Sequence, residues 1–97
     1  MIRQYSLAKD GNRKLAPSFN TREFRCRDGT DTILVDEALT VVLQCIREHF
    51  GKAVTITSGY RTPEHNAEVG GSKSSQHLLG RAADIRVQGV SVEDVAA

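Results

Sequence analysis

Apolar positions along the chain switch between two periods. From Asp36 onward, Leu39, Val42, Leu43, Ile46 and Phe50 fall at i, i+3, i+4, i+7 and i+11, the spacing that gathers side chains on one stripe of an α-helix. Asp36 suits the N-cap, Glu37 the first turn, and Arg47 with Gly51 the C-terminal end, so a helix is predicted over 36–50. The period then changes to two. Ala53-Val54-Thr55-Ile56-Thr57-Ser58 alternates and is β-branched, which predicts a strand with one buried face ended by Gly59. Pro63 suits a first helical position, and a short helix is predicted from there to Val69, stopped by Gly70-Gly71. Ala82 to Val87 reads as a second strand, and Ser91-Val92-Glu93-Asp94 as the start of a further helix with barely a turn before Ala97. Residues 1–18 are polar, with Gly11-Asn12 a turn signal and Pro17 a breaker; Asn20 or Thr21 could cap a short turn through Glu23-Phe24.

These elements make an α+β class: a small antiparallel sheet packed with helices, including one long amphipathic helix. Neither a repeat nor a linker divides the 97 residues, and one domain is expected over 1–97, with a last helix that looks cut short. The longest apolar runs, Val41-Val42-Leu43 and Ile33-Leu34-Val35, are far below the roughly 18 residues of a membrane span. The first ten residues contain no apolar stretch of the kind a secretory signal needs. Synthesis in the cytoplasm without a signal peptide is therefore the expectation. Cys26 and Cys45 lack the Cys-x-x-Cys spacing of a thiolate site and are expected as free thiols, with Cys45 inside the apolar pattern of the helix. Charge changes the picture less. Residues 1–30 carry a net +4 and residues 31–97 a net −3; a basic end can attract a polyanion, but aromatics at 5% supply little for base stacking, and no nucleic-acid or membrane partner is expected.

Chemistry concentrates around three histidines. His49 lies near the helix C-terminus, where a cation is favoured, and is expected to be structural. His65 is expected to be exposed on the short helix. His77 follows the loop Gly70-Gly71-Ser72-Lys73-Ser74-Ser75 and precedes by seven residues Asp84, a carboxylate in an otherwise apolar strand. A buried carboxylate needs a partner. His77 and Asp84 could be two ligands of one zinc, with Gly80 allowing the reversal between them; alternatively they hydrogen-bond to each other, or Asp84 pairs with Arg81 or Arg86.

The segment Ser75-Gln76-His77-Leu78-Leu79-Gly80-Arg81-Ala82-Ala83-Asp84 resembles the Ser-x-His-x-x-Gly-x-Ala-x-Asp motif of zinc D-alanyl-D-alanine carboxypeptidases and related peptidoglycan endopeptidases, including phage lysis enzymes. Upstream, Ile56-Thr57-Ser58-Gly59-Tyr60-Arg61-Thr62-Pro63-Glu64-His65-Asn66, followed by Val69-Gly70-Gly71, resembles the same family's strand and Ser-Gly-Tyr-Arg turn. The order and spacing agree over roughly residues 18–97.

The resemblance implies a zinc peptidase that cleaves the peptide stem of bacterial peptidoglycan with a metal-activated water. It implies His77 and Asp84 as zinc ligands and Arg61 as the cation facing the scissile carbonyl, a role suited to a guanidinium that stays charged at any working pH. Ser75, Gln76 and Tyr60 are weaker candidates for contacting the peptide. The family's third ligand, a histidine, and its general base come from a later strand that this sequence does not contain, and His65 could substitute only if geometry allows. A catalytic zinc has three protein ligands and an open position, so a non-catalytic relative that binds zinc or a cell-wall peptide is the alternative.

Overall fold

The computed structural model describes residues 1–90; the helix expected from Ser91 lies outside them. The α+β class holds, with the antiparallel pairing distributed over three two-stranded ribbons. Strand β1 (Ile2–Ser6) pairs with β4 (Thr32–Asp36), β2 (Lys14–Ala16) with β3 (Phe19–Asn20), and β5 (Val54–Ser58) with β6 (Asp84–Val87). Helix α1 is a single turn, Leu7–Asp10, α2 spans Glu37–Phe50 and α3 Pro63–Glu68; 3-10 turns occupy Thr21–Phe24 and Gln76–Leu79. Among the described residues no helix is long and apolar enough to cross a membrane.

The long helix starts where its cap predicts. The Asp36 carboxylate accepts from the Ala38 amide at 3.0 Å, and Gly51 closes the other end in the left-handed conformation. Its buried face is rotated from the expected stripe: Thr40 and Leu43 are buried, whereas Val42 is 55% exposed. The helix lies against β2 and β4, so the arc centred on Leu43 turns inward and Val42 falls on its shoulder. Cys45 is also on the outside of α2, and Cys26, with no exposure, is the buried thiol; both are free. Asn20 does cap its turn, in a reciprocal box in which the Asn20 amide donates to Glu23 at 2.6 Å.

Residues 1–18, read from sequence as polar and irregular, contain β1, α1 and β2. Two-residue alternation places Ile33 and Val35 of β4, and Val54 and Ile56 of β5, toward one core with Phe19, Phe24, Cys26, Leu43 and Val87. The loop after the second 3-10 turn docks on the end of β4. The Asp36 amide donates to the Gly80 carbonyl at 2.9 Å, and Arg81 Nε lies 3.4 Å from Asp36 Oδ2. Gly80 is left-handed (φ +70°), and a Cβ there would stand 2.1 Å from the Leu34 carbonyl oxygen. Only glycine satisfies both constraints.

Two outcomes follow from this docking. Gly80→Ala loses at least about 1–2 kcal/mol of unfolding free energy in urea titration, the cost of the left-handed backbone alone, and more as Leu34 is displaced. A neutral substitution would mean that the loop does not approach β4. The Asp36 carboxyl is held below the usual carboxylate range, first by the Ala38 amide, then by the Met1 amino group and Arg81. Its contribution is therefore complete above the unfolded value near ~4 and is lost as pH falls through the lower folded value. The melting-temperature gap between the parent chain and Asp36→Asn is expected to be widest near neutrality and to shrink below that point.

Candidate active site

The residues of the two sequence segments meet at the open end of the β5–β6 ribbon. A register irregularity between Ile56 and Ser58 brings Ser58 opposite Asp84, and Thr57 Oγ1 donates to the Asp84 carbonyl at 3.1 Å. Beyond Ser58 the chain turns tightly over the first 3-10 segment: the Tyr60 amide donates to the Phe24 carbonyl at 3.0 Å, and a Cβ on Gly59 would stand 2.7 Å from that same oxygen. Glycine at 59 is required by this close approach of two backbones.

The Gly59 carbonyl in turn faces the buried His77 ring, 2.7 Å from Nδ1. A carbonyl only accepts, so Nδ1 carries the proton, and Nε2 is the nitrogen that bears the lone pair in the corresponding neutral tautomer. That nitrogen lies 3.6 Å from Asp84 Oδ2. Two donors bound to one tetrahedral zinc at its usual bond lengths stand about 3.3–3.4 Å apart, so the pair is close to the spacing of one metal's ligands, with the outer nitrogen anchored as metal-binding histidines usually are. The Arg61 Nη2 atom sits 3.3 Å from the same Asp84 oxygen.

Arg61 is held on every side. Its Nε donates to Ser58 Oγ at 3.2 Å and Nη1 to Asn66 Oδ1 at 3.4 Å, while its amide donates to the His77 carbonyl at 3.0 Å. Asn66, buried at 4% exposure, has a role that the sequence analysis did not assign. Its Nδ2 donates to the Ser72 carbonyl at 2.8 Å, tying the 70–75 loop to the arginine. A polar side chain on the inward face of a short helix was the available signal.

Other candidates fall differently. Ser75 caps the second 3-10 turn, accepting from the His77 amide at 3.2 Å, and Gln76 is exposed beside it. Tyr60 is buried in the core, and that burial, followed by the nearby Cys26, Asp28 and Glu64, pushes its phenol above the usual value. Asp84 is not buried: its side chain is 60% exposed, because β6 is half of a two-stranded ribbon with one face open. Its partners therefore gather at a surface, and burial of the carboxylate is not what brings them there. His49 is exposed and meets the Phe50 ring edge-on.

His65 does not join His77 and Asp84. Its side chain is 15% exposed, against the expectation of an exposed ring, and one of its ring nitrogens lies within 4.8 Å of the Cys26 sulfur and an Asp28 oxygen. Among the described residues this is the only group of three potential metal ligands.

A family model described as Peptidase M15 matches residues 17–97. The zinc D-Ala-D-Ala carboxypeptidase of Streptomyces albus G is 41% identical over 44 residues, 44% of this chain and 17% of that protein, so the match spans less than a fifth of the relative. No solved structure matches the chain.

The tautomer is directly measurable. Long-range proton–nitrogen correlation spectra of the metal-free chain are expected to show His77 protonated on Nδ1. A ring protonated on Nε2 alone would remove the argument for a lone pair facing Asp84.

Proposed function

We propose that this chain, which belongs to the peptidase M15 family, holds zinc between His77 and Asp84 and cleaves the peptide stem of bacterial peptidoglycan. The observation that carries this reading is the convergence of His77 Nε2 and the Arg61 guanidinium on one exposed carboxylate oxygen, at 3.6 and 3.3 Å. A neutral nitrogen beside an anionic oxygen is a donor pair suited to zinc. The likeness to a zinc carboxypeptidase supports both the metal and the substrate class.

Zinc bound at such a site supplies a water acidified toward neutral pH and polarises a carbonyl. The chain's own residues divide the remaining work. His77 and Asp84 hold the metal, with the Gly59 carbonyl fixing the imidazole. Arg61 presents a permanent positive charge where an amide oxygen gains negative charge during attack, and its ties to Ser58 and Asn66 orient that charge in advance. Ser75 and Gln76 are proposed to lie along the peptide, Gln76 being the accessible one, whereas Tyr60 is buried in the core and supports the turn from beneath. The site of action on this reading is the bacterial cell wall.

Two ligands gather among the described residues, which favours as a second reading a relative that binds zinc or a wall peptide without cutting it. Zinc analysis and a hydrolysis assay on peptides ending in D-Ala-D-Ala separate the two. His77→Ala and Asp84→Ala are each expected to lower zinc content by one equivalent relative to the parent chain, whereas Arg61→Ala keeps that equivalent and lowers kcat by about 10²–10³-fold. Undiminished zinc in both ligand variants would sink the assignment. Full turnover in Arg61→Ala would remove the charge-stabilising role, and zinc with no hydrolysis in the full-length protein would select the binding reading.

A further inference from the structure

The Ser58–Thr62 turn has a second polar cluster against it, which the reading above does not use. Cys26 follows the first 3-10 segment, Asp28 lies two residues on, and His65 is in α3; their sulfur, carboxylate oxygen and ring nitrogen lie within 4.8 Å of one another. Cys26 is completely buried, Asp28 is at the exposed rim and His65 is between them in exposure. These are thiol, carboxyl and imidazole, the three commonest protein donors for zinc.

Two features set the cluster apart from a casual meeting of polar groups. The first is an unsatisfied ring: His65 Nδ1 is closed off from solvent and makes no hydrogen bond, and the nearest anion on its own helix, Glu68, stays 3.7 Å away. A buried polar atom without a partner costs free energy, so this ring is not locked in place by a hydrogen bond at Nδ1. The second is that backbone and hydroxyl donors already converge on the cluster's sulfur and carboxylate. The Thr62 amide donates to Cys26 Sγ at 3.4 Å, and Thr62 Oγ1 donates to Asp28 Oδ2 at 2.9 Å. Thr30 donates to Asp28 through both its amide and its hydroxyl, at 2.9 and 2.6 Å.

We propose that Cys26, Asp28 and His65 form a second site for a zinc-type divalent ion, separate from the His77–Asp84 pair. Binding draws the three donors together, releases the Cys26 thiol proton to solvent, and leaves a fourth position to water at the exposed rim. The site pins the segment after Phe24 to the start of α3. Thr62, which contacts both Cys26 and Asp28, is the residue next to Arg61, so the ion braces the turn that carries the arginine. The assignment does not depend on catalysis or on zinc at His77.

Cobalt(II) distinguishes the two sites, because only a thiolate ligand gives an intense sulfur-to-cobalt charge-transfer band in the near ultraviolet. Titration of the reduced, metal-free 97-residue chain is expected to develop this band to one equivalent. The band persists in Cys45→Ser and in the double variant His77→Ala/Asp84→Ala, and disappears in Cys26→Ser. His65→Ala, which leaves the buried thiol in place, weakens cobalt binding at this site by at least about tenfold, the smallest loss seen on removing even an outer partner of a metal ligand. Absence of the band in the parent chain overturns the proposal, as does its survival in Cys26→Ser. If Cys26→Ser fails to fold by circular dichroism, His65→Ala decides: undiminished affinity there overturns it.

Discussion

The bond between His77 Nδ1 and the Gly59 carbonyl joins the two halves of the site. It is a short, buried contact between residues 18 apart, and each end is fixed by a different part of the core. Gly59 is pressed against the Phe24 backbone, and Phe24 itself is 1% exposed. The His77 turn is held from the other side by the docking of Gly80 on β4. With both anchors set by glycines that admit no side chain, the ring has one place to go, and the nitrogen it leaves free faces Asp84. Local packing is dense around the ring whose direction it fixes, and Asp84 itself is left at the surface.

How much of this could be read from the sequence depended on whether a feature was local. The long helix was legible because its cap, its period and its terminal glycine all lie within sixteen residues and agree with one another. The same is true of β5 and of the Asn20 cap. The β1–β4 ribbon was missed for the opposite reason: Ile2 pairs with Asp36 and Tyr5 with Ile33, and neither strand has an alternation long enough to stand out alone. Its pairing is decided by what the rest of the fold leaves to cover, a tertiary matter.

The site residues show the same division. Arg61, His77 and Asp84 were legible through motif spacing, and the structure brings them together. Burial does not explain Asp84, since a two-stranded ribbon exposes one face of β6 and the carboxylate stands at the surface. Val42 and His65 were misplaced because a helical wheel gives the angular position of a side chain and leaves out which neighbour the helix meets. For α2 the neighbours are β2 and β4, which draw Thr40 and Leu43 inward. For α3, the segment after Phe24 covers His65. Asn66 had no role on paper because its partners, Arg61 and the Ser72 carbonyl, come together only when the loop closes.

Arg61 and Thr62 are adjacent in the chain and serve different partners. The arginine reaches Ser58, Asn66 and Asp84, and the threonine reaches Cys26 and Asp28. Thr62 is in extended conformation as the N-cap of α3, with its hydroxyl also accepting from the His65 amide at 3.2 Å. One short segment thus couples an open, charged site to a thiol-bearing cluster. A guanidinium on a long flexible stem loses considerable side-chain entropy when it is held in one place, and the groups that restrain it lie on both sides of the turn: hydrogen bonds to Ser58 and Asn66 act on the side chain, while the Thr62 contacts act on the backbone that carries it. The Cys26, Asp28 and His65 cluster therefore bears on the geometry of Arg61 without touching the carboxylate that Arg61 addresses.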